Sequence, residues 1–91
     1  MKILEYDLVQ TCPRMPEQYD VFHRGKQVGY LRLRHGWFAA WRSVEDNDDD
    51  TLYEVETIGY SEFTNEERMI HLTKAIKAIR KDISRELRHA F

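Results

Sequence analysis

The sequence of 91 residues contains one cysteine, two prolines and four glycines. Because Cys12 stands alone, an internal disulfide and a zinc site with several thiolates are excluded, as is typical of a reducing compartment. No apolar run is close to the length of about 20 residues that a helix needs to span a bilayer. Glu5 and Asp7 lie where a secretion signal would be apolar. We therefore expect a cytoplasmic protein with no membrane segment.

Neither sign of charge dominates, because 14 basic and 16 acidic residues leave a net charge of −2. The distribution is uneven. Residues 1–63 carry seven basic and twelve acidic side chains, whereas residues 64–91 carry seven and four. The length and the hydrophobic fraction of 42 % are those of one globular domain, 1–91, with a thin core.

The longest regular pattern predicts an amphipathic helix from Thr64 to about Arg88. Thr64 followed by Glu67 is a capping box, in which each side chain accepts a hydrogen bond from the other residue's backbone amide. Apolar residues then recur at intervals of three or four, which predicts one buried stripe: Met69, Leu72, Ile76, Ile79, Ile83 and Leu87.

Alternating apolar and polar residues before the helix predict strands in five segments: 2–9, 18–24, 27–34, 37–42 and 52–58. Gly25-Lys26 predicts a type II′ turn, and His35-Gly36 predicts the next hairpin turn. The predicted fold class is α+β, with an antiparallel sheet of about five strands, a β-meander, packed on one long C-terminal helix.

The alternation in segment 27–34 assigns its side chains to two faces of the sheet. Leu31 and Leu33 face the core with Gly29, and four residues face outward: Val28, Tyr30, Arg32 and Arg34. We expect Arg32 and Arg34 to pair across strands with acids, either Glu54 and Glu56 or Glu5 and Asp7.

Catalytic and metal-binding patterns are weak in this sequence. Asp46, Asp48 and Asp50 match the start of a calcium loop, but Thr51 replaces its glycine and Thr57 its last glutamate. None of the four histidines has metal spacing to another, and a Cys12–histidine nucleophile has no supporting pattern. We predict no enzyme activity, no catalytic or metal-ligating residue, and no cofactor.

Two sets of residues are candidate binding surfaces. The first combines aromatic rings and guanidinium groups, as in platforms for single-stranded nucleic acid: Tyr30, Arg32, Arg34, Trp37 and Trp41. The alternation alone directs the tyrosine and arginines outward, and both tryptophans fit the core equally well. The second set is a cationic helix stripe: Lys74, Lys77, Lys81, Arg85 and Arg88. This stripe is either a solvated face or a surface for phosphates or an acidic partner.

Two segments resemble known proteins. Gly25–Arg32 resembles the central hairpin of GNAT acetyltransferases, but 59–63 replaces their phosphate-binding loop, so no coenzyme A site is expected. Segments 16–22 and 27–36 resemble small uncharacterised proteins of phages and mobile elements. That resemblance implies no activity and favours a protein that binds and modulates a host factor.

The leading functional prediction is a non-enzymatic module that binds a protein partner. One version is a homodimer through an open sheet edge or through the outward aromatic residues. The alternative prediction is a nucleic-acid-binding domain that uses the cationic helix stripe or the tyrosine and arginine face.

Overall fold

The computed structural model describes residues 1–13, 15–42 and 51–89, without the side chain of His89. In this part of the chain, each strand pairs antiparallel with its neighbour in sequence, and one helix packs on the sheet. The elements are β1 Lys2–Ile3, β2 Tyr6–Gln10, β3 Gln18–His23, β4 Lys26–Arg34, β5 Trp37–Trp41, β6 Thr51–Glu56 and α1 Asn65–His89. The predicted α+β meander with a C-terminal helix is confirmed, with six strands in place of about five. The three aspartates that match the start of a calcium loop, Asp46, Asp48 and Asp50, lie outside the described residues.

The first predicted strand is wrong, because residues 2–9 form a hairpin. Ile3 pairs with Tyr6 across a turn at Leu4, whose φ is 55°. The reversal buries Ile3 beside Tyr6 and leaves Leu4 exposed, whereas a continuous strand would place Leu4 on the same face as Tyr6. A turn within the segment resets which side chains face the core.

Two tight turns connect β3 to β4 and β4 to β5. The first is centred on Arg24 and Gly25, at φ of 54° and 81°, so the predicted Gly25-Lys26 type II′ turn is wrong. The second is at His35-Gly36, as predicted, with φ of 54° and 73°. Positive φ at both central residues is the type I′ geometry, whose twist matches that of the flanking strands.

A bulge in β4 corrects the predicted position of Val28. Val21 pairs with Gly29 and Phe22 pairs with Gln27, so Val28 has no partner residue in β3 and joins the core. Gly29 lies directly under the helix. An added Cβ there would lie 2.7 Å from Ile79 Cδ1 and 2.9 Å from the Trp41 carbonyl oxygen. Because this backbone oxygen cannot move aside as the end of a side chain can, the position requires glycine.

The core lies between the inner face of the sheet and one face of α1. Its fully buried members come from both layers: Leu31, Leu33, Phe38, Leu72, Ile76 and Ile79. Burial of each such side chain contributes about 1.5–3 kcal/mol. The central residues of the predicted apolar stripe, Leu72, Ile76 and Ile79, are therefore buried as predicted.

The two ends of the predicted stripe are wrong, because Met69 and Leu87 are 49 % and 60 % exposed. The helix has 25 residues, which corresponds to about 37 Å. Six strands at a spacing of about 4.8 Å give a sheet only roughly 24 Å wide. Among the described side chains, the last buried residue of the helix is Ile79, so its C-terminal turns extend beyond the core. Met69 is exposed although its neighbours Glu67 and Leu72 are buried, so it lies outside the buried face of the helix.

The capping box is confirmed at the start of α1. The Thr64 amide donates to Glu67 Oε2 at 2.9 Å, and the Glu67 amide donates to Thr64 Oγ1 at 3.3 Å. Glu67 also accepts hydrogen bonds from the amides of Ile58 and Gly59, at 2.9 and 2.8 Å. Because these two amides donate to Glu67, they are not available for strand pairing, and β6 ends at Glu56 rather than at the predicted Ile58. The side chain of Ile58 is 83 % exposed.

A buried polar cluster, here called the Glu17–Arg68 link, joins the sheet to the helix. Glu17 is 3 % exposed. Its Oε1 accepts from the Phe63 amide at 2.9 Å, and its Oε2 accepts from the Tyr19 hydroxyl at 2.6 Å. Arg68 donates to both carboxylate oxygens, at 2.9 and 3.1 Å. This one carboxylate therefore connects β3, the segment before α1, and the first turn of α1.

Candidate binding surfaces

The outer face of the sheet, opposite α1, is where the structure places the first predicted set. Strand registers align Tyr30 with Trp41 and Arg34 with Trp37, and align Arg32 with Ala39. All five predicted residues therefore lie on one face of two adjacent strands. Trp37 is 46 % exposed and is the large apolar side chain of this set that is open to solvent.

Trp41 is covered by its neighbours on the outer face. Its ring stacks on that of Tyr30 at a centroid distance of 5.7 Å, and the Arg32 guanidinium carbon lies 5.5 Å from its centroid. Trp41 is consequently 5 % exposed, although it points away from the helix. Its indole Nε1 has no hydrogen-bond partner within the described ranges. The stack occupies the ring face that a nucleic acid base would need.

A small cavity, here called the Ala39 cavity, lies between the two tryptophans. It has a volume of about 180 Å³ and its lining includes Trp37, Ala39 and Trp41. Arg32 and Arg34 border it on the β4 side, and Thr51 and Glu54 border it on the β6 side. The small side chain of Ala39, between two indoles at alternate positions of β5, leaves this space open.

Arg32 and Arg34 are not directly opposite the acids with which we predicted cross-strand pairs. Because β5 lies between β4 and β6, Ala39 separates Arg32 from Glu54 and Trp37 separates Arg34 from Glu56. Glu5 and Asp7 lie at the far edge of the sheet, where they bind Arg80 at 3.0 Å and Lys2 at 3.8 Å.

The outer face carries both signs of charge, with acids in excess. Register and alternation place three basic residues on this face: Lys2, Arg32 and Arg34. The same face holds four acids: Asp7, Asp20, Glu54 and Glu56. Such a mixed surface suits a partner that itself carries both charges.

The cationic helix stripe is the second predicted set, and all five of its residues are exposed: Lys74, Lys77, Lys81, Arg85 and Arg88. The acids of the same helix half turn towards the sheet. Asp82 and Glu86 both bind Arg42, at 2.9 and 3.2 Å. A shallow groove of about 420 Å³ follows the stripe. The predicted residues therefore form a continuous cationic surface.

The two surfaces lie on opposite sides of the molecule. The outer face is turned away from α1, and the helix stripe is turned away from the sheet. One compact ligand cannot contact both. The structure therefore brings together the members within each predicted set but does not bring the two sets together.

The two buried carboxylates are both committed to structural hydrogen bonds. Burial opposes ionisation of Glu17, but hydrogen bonds from Arg68, Tyr19 and the Phe63 amide outweigh it and lower its pKa. Burial likewise opposes ionisation of Glu67, whose pKa is lowered by the amides of Thr64, Gly59 and Ile58. Both groups are therefore ionised at neutral pH and have no proton to donate.

Sequence patterns did not indicate several residues of these sites. Glu17 and Arg68 are 51 positions apart and follow no periodic rule. Ala39, Thr51 and Glu54 are ordinary strand residues until the register places them around one cavity. One sequence pattern could have indicated the cavity: a small residue, Ala39, lies between two tryptophans at alternate positions of Trp37–Trp41.

No family model, curated protein or solved structure matches this chain. The resemblance to proteins of phages and mobile elements therefore stays a prediction. Within residues 1–13, 15–42 and 51–89, no group of three or more His, Cys, Asp or Glu side chains is placed to hold a metal ion. No helix in the described part of the chain is long and apolar enough to cross a membrane.

Proposed function

We propose that this chain is a non-enzymatic module that binds a protein partner through the outer face of its sheet. The observation that carries the proposal is the Ala39 cavity, which has an exposed indole at Trp37, arginines on one side and Glu54 on the other. Exposed tryptophan beside arginine is the combination that dominates binding energy at protein interfaces. The mixed charge around it fits a polypeptide better than a polyanion.

The state of the buried acids supports a binding role rather than catalysis. Glu17 and Glu67 are held ionised by amides and by Arg68, so their perturbed pKa values serve the fold. The proposed partner is a factor of the host cell, which this chain would modulate as a protein of a phage or mobile element. The resemblance of 16–22 and 27–36 supports this assignment. A cytoplasmic location is consistent with the single thiol at Cys12.

The experiment is quantitative affinity capture from an extract of the native host, followed by mass spectrometry. The wild-type chain is compared with Trp37→Ala and Arg34→Glu, and Lys77→Ala on the helix stripe is the matched control. A partner retained by Lys77→Ala and lost by both outer-face variants is the expected result. Identical captured proteins for all four chains would contradict the proposal.

Self-association through the outer face is tested separately by gel filtration with light scattering. A dimer that dissociates in the Trp37→Ala variant would identify a second copy as the partner. A protein that remains monomeric at high concentration would exclude a homodimer.

A second candidate function is nucleic acid binding by the helix stripe. The observation that favours it is the pairing of Asp82 and Glu86 with Arg42, which leaves the outward side of this helix half cationic. Five phosphate contacts on a single strand predict a slope of log affinity against log salt of about −3.5. Titration of labelled RNA and DNA at low and moderate salt measures that slope. Absence of binding at low salt would exclude this function, and Lys81→Glu should weaken any binding seen and make the slope less steep.

A further inference from the structure

Strand β6 is one edge of the sheet and differs from the opposite edge. In the part of the chain that the structure describes, β6 has six residues and pairs only with β5. The other edge strand, β1, has two residues and carries Lys2. A short strand with a lysine is a usual protection against edge pairing. The β6 edge is long enough to accept another strand.

A groove runs along β6. Its volume is about 530 Å³, and among the described residues its lining includes Thr51, Leu52, Tyr53 and Glu54. The register of β6 is interrupted at Leu52, because Ala40 pairs with Tyr53 and Trp41 pairs with Thr51. The regular part of this edge, where a further strand would pair, is therefore residues 53–56.

The two faces of β6 specify the chemistry of that further strand. On the inner face, Tyr53 and Val55 pack against the core cluster but remain half-buried. On the outer face, Glu54 and Glu56 are exposed. A strand added at this edge would cover the inner pair with apolar side chains and meet the two carboxylates with cations.

We propose that β6 binds an extended segment of a partner protein by strand addition, with cationic and apolar side chains alternating along that segment. The inference rests on the proposed protein-binding function and names the chemistry of the partner. Main-chain hydrogen bonds to β6 supply affinity, and the alternation supplies specificity. Thr51 and Glu54 line both the groove and the Ala39 cavity, so a bound strand lies beside that cavity.

A second copy of the same chain is a poor occupant of this edge. Pairing β6 with another β6 brings Glu54 and Glu56 of both copies to the same seam. Like charges that face each other across two strands are destabilising. These glutamates therefore act against self-association at the edge while they attract a basic strand.

The test uses capped eight-residue peptides titrated into the full chain, with affinity from calorimetry and site readout from amide hydrogen exchange. The first peptide alternates Lys and Val, the second alternates Glu and Val, and the third is the Lys-Val peptide with N-methyl groups on all of its amides. We expect only the first to bind and to slow exchange of β6 amides at least about tenfold. Loss of each carboxylate should weaken binding about 1.5- to 5-fold, the range of cross-strand charge pairs.

Two double variants with the same change in net charge locate the site. Glu54→Gln with Glu56→Gln should weaken binding, whereas Glu5→Gln with Asp7→Asn, at the opposite edge, should not. Circular dichroism establishes that both variants are folded. No binding of the Lys-Val peptide, equal binding after N-methylation, or equal effects of the two double variants would overturn the inference. Partner capture that depends on Trp37 would then still support the proposed function.

Discussion

Replacing Glu17 tests the polar link between the sheet and the helix. The side chain is 3 % exposed and accepts from Phe63, Tyr19 and Arg68 at 2.6–3.1 Å. In Glu17→Ala the Arg68 guanidinium loses its buried partner, and the other two donors lose their acceptor. Removal of one partner from a buried ion pair costs about 3–5 kcal/mol. A chain of 91 residues has a free energy of unfolding of about 5–13 kcal/mol in total.

The measurement is urea unfolding at pH 7, followed by circular dichroism. Glu17→Gln keeps an acceptor oxygen but loses the charge, so about 1.5–3 kcal/mol is expected. The control is Glu56→Gln, an exposed residue, which should change the free energy of unfolding by less than about 0.5 kcal/mol. A cost below about 1 kcal/mol for Glu17→Ala would refute the reasoning. So would strict additivity of Glu17→Ala and Arg68→Ala, because direct partners must couple.

The same carboxylate predicts a pH dependence with a definite sign. The folded-state pKa of Glu17 is lowered, and the unfolded value is about 4.3. Between the two values the unfolded chain binds more protons, so stability rises with pH in that window. Its contribution is complete above the unfolded pKa and is lost as pH falls through the folded pKa. Urea midpoints from pH 7 down to pH 3 should therefore fall more steeply for the wild type than for Glu17→Gln.

Three further predictions concern the helix and its packing, each measured by urea unfolding. Ile76→Ala truncates a fully buried side chain and should lower the free energy of unfolding by about 2–5 kcal/mol. Met69→Ala, at the exposed end of the same stripe, should lower it by less than about 1 kcal/mol. Equal losses for the two variants would contradict the assignment of the buried helix face. Thr64→Ala removes the helix cap and should cost about 1 kcal/mol, and no loss would mean that the cap is dispensable. Gly29→Ala forces a Cβ to within 2.7 Å of Ile79 and should cost about 1–3 kcal/mol, so a neutral result would contradict the packing.

The features predicted correctly from sequence are those encoded by residues close together in the chain. The capping box depends on Thr64 and Glu67, three positions apart, and the structure contains both of its hydrogen bonds. The turn at His35-Gly36 and the inward position of Leu31 follow from equally local rules. Local patterns were sufficient here because the interacting atoms belong to one helical turn, one hairpin or one strand.

The sequence predicted which side chains of the two candidate surfaces point outward, but not the contacts that they make there. Alternation placed Tyr30 and Arg32 outward, but strand pairing decided that both cover Trp41. The helical period placed Lys81 outward, but the neighbouring acid Asp82 was assigned to Arg42 only when β5 and α1 were packed together. The Ala39 cavity exists because three strands hold their side chains in one register.

The sequence by itself determined the helix, its cap, the hairpin at His35-Gly36 and the outward charge, because each depends on contacts within a few residues. Only the tertiary structure decided that Ile3 is buried, that Val28 is a bulge and that Glu17 binds Arg68. Those outcomes depend on which strand lies beside which and on how far the sheet extends under the helix. Pairs far apart in the chain meet only after the whole core has formed, so no local pattern specifies them.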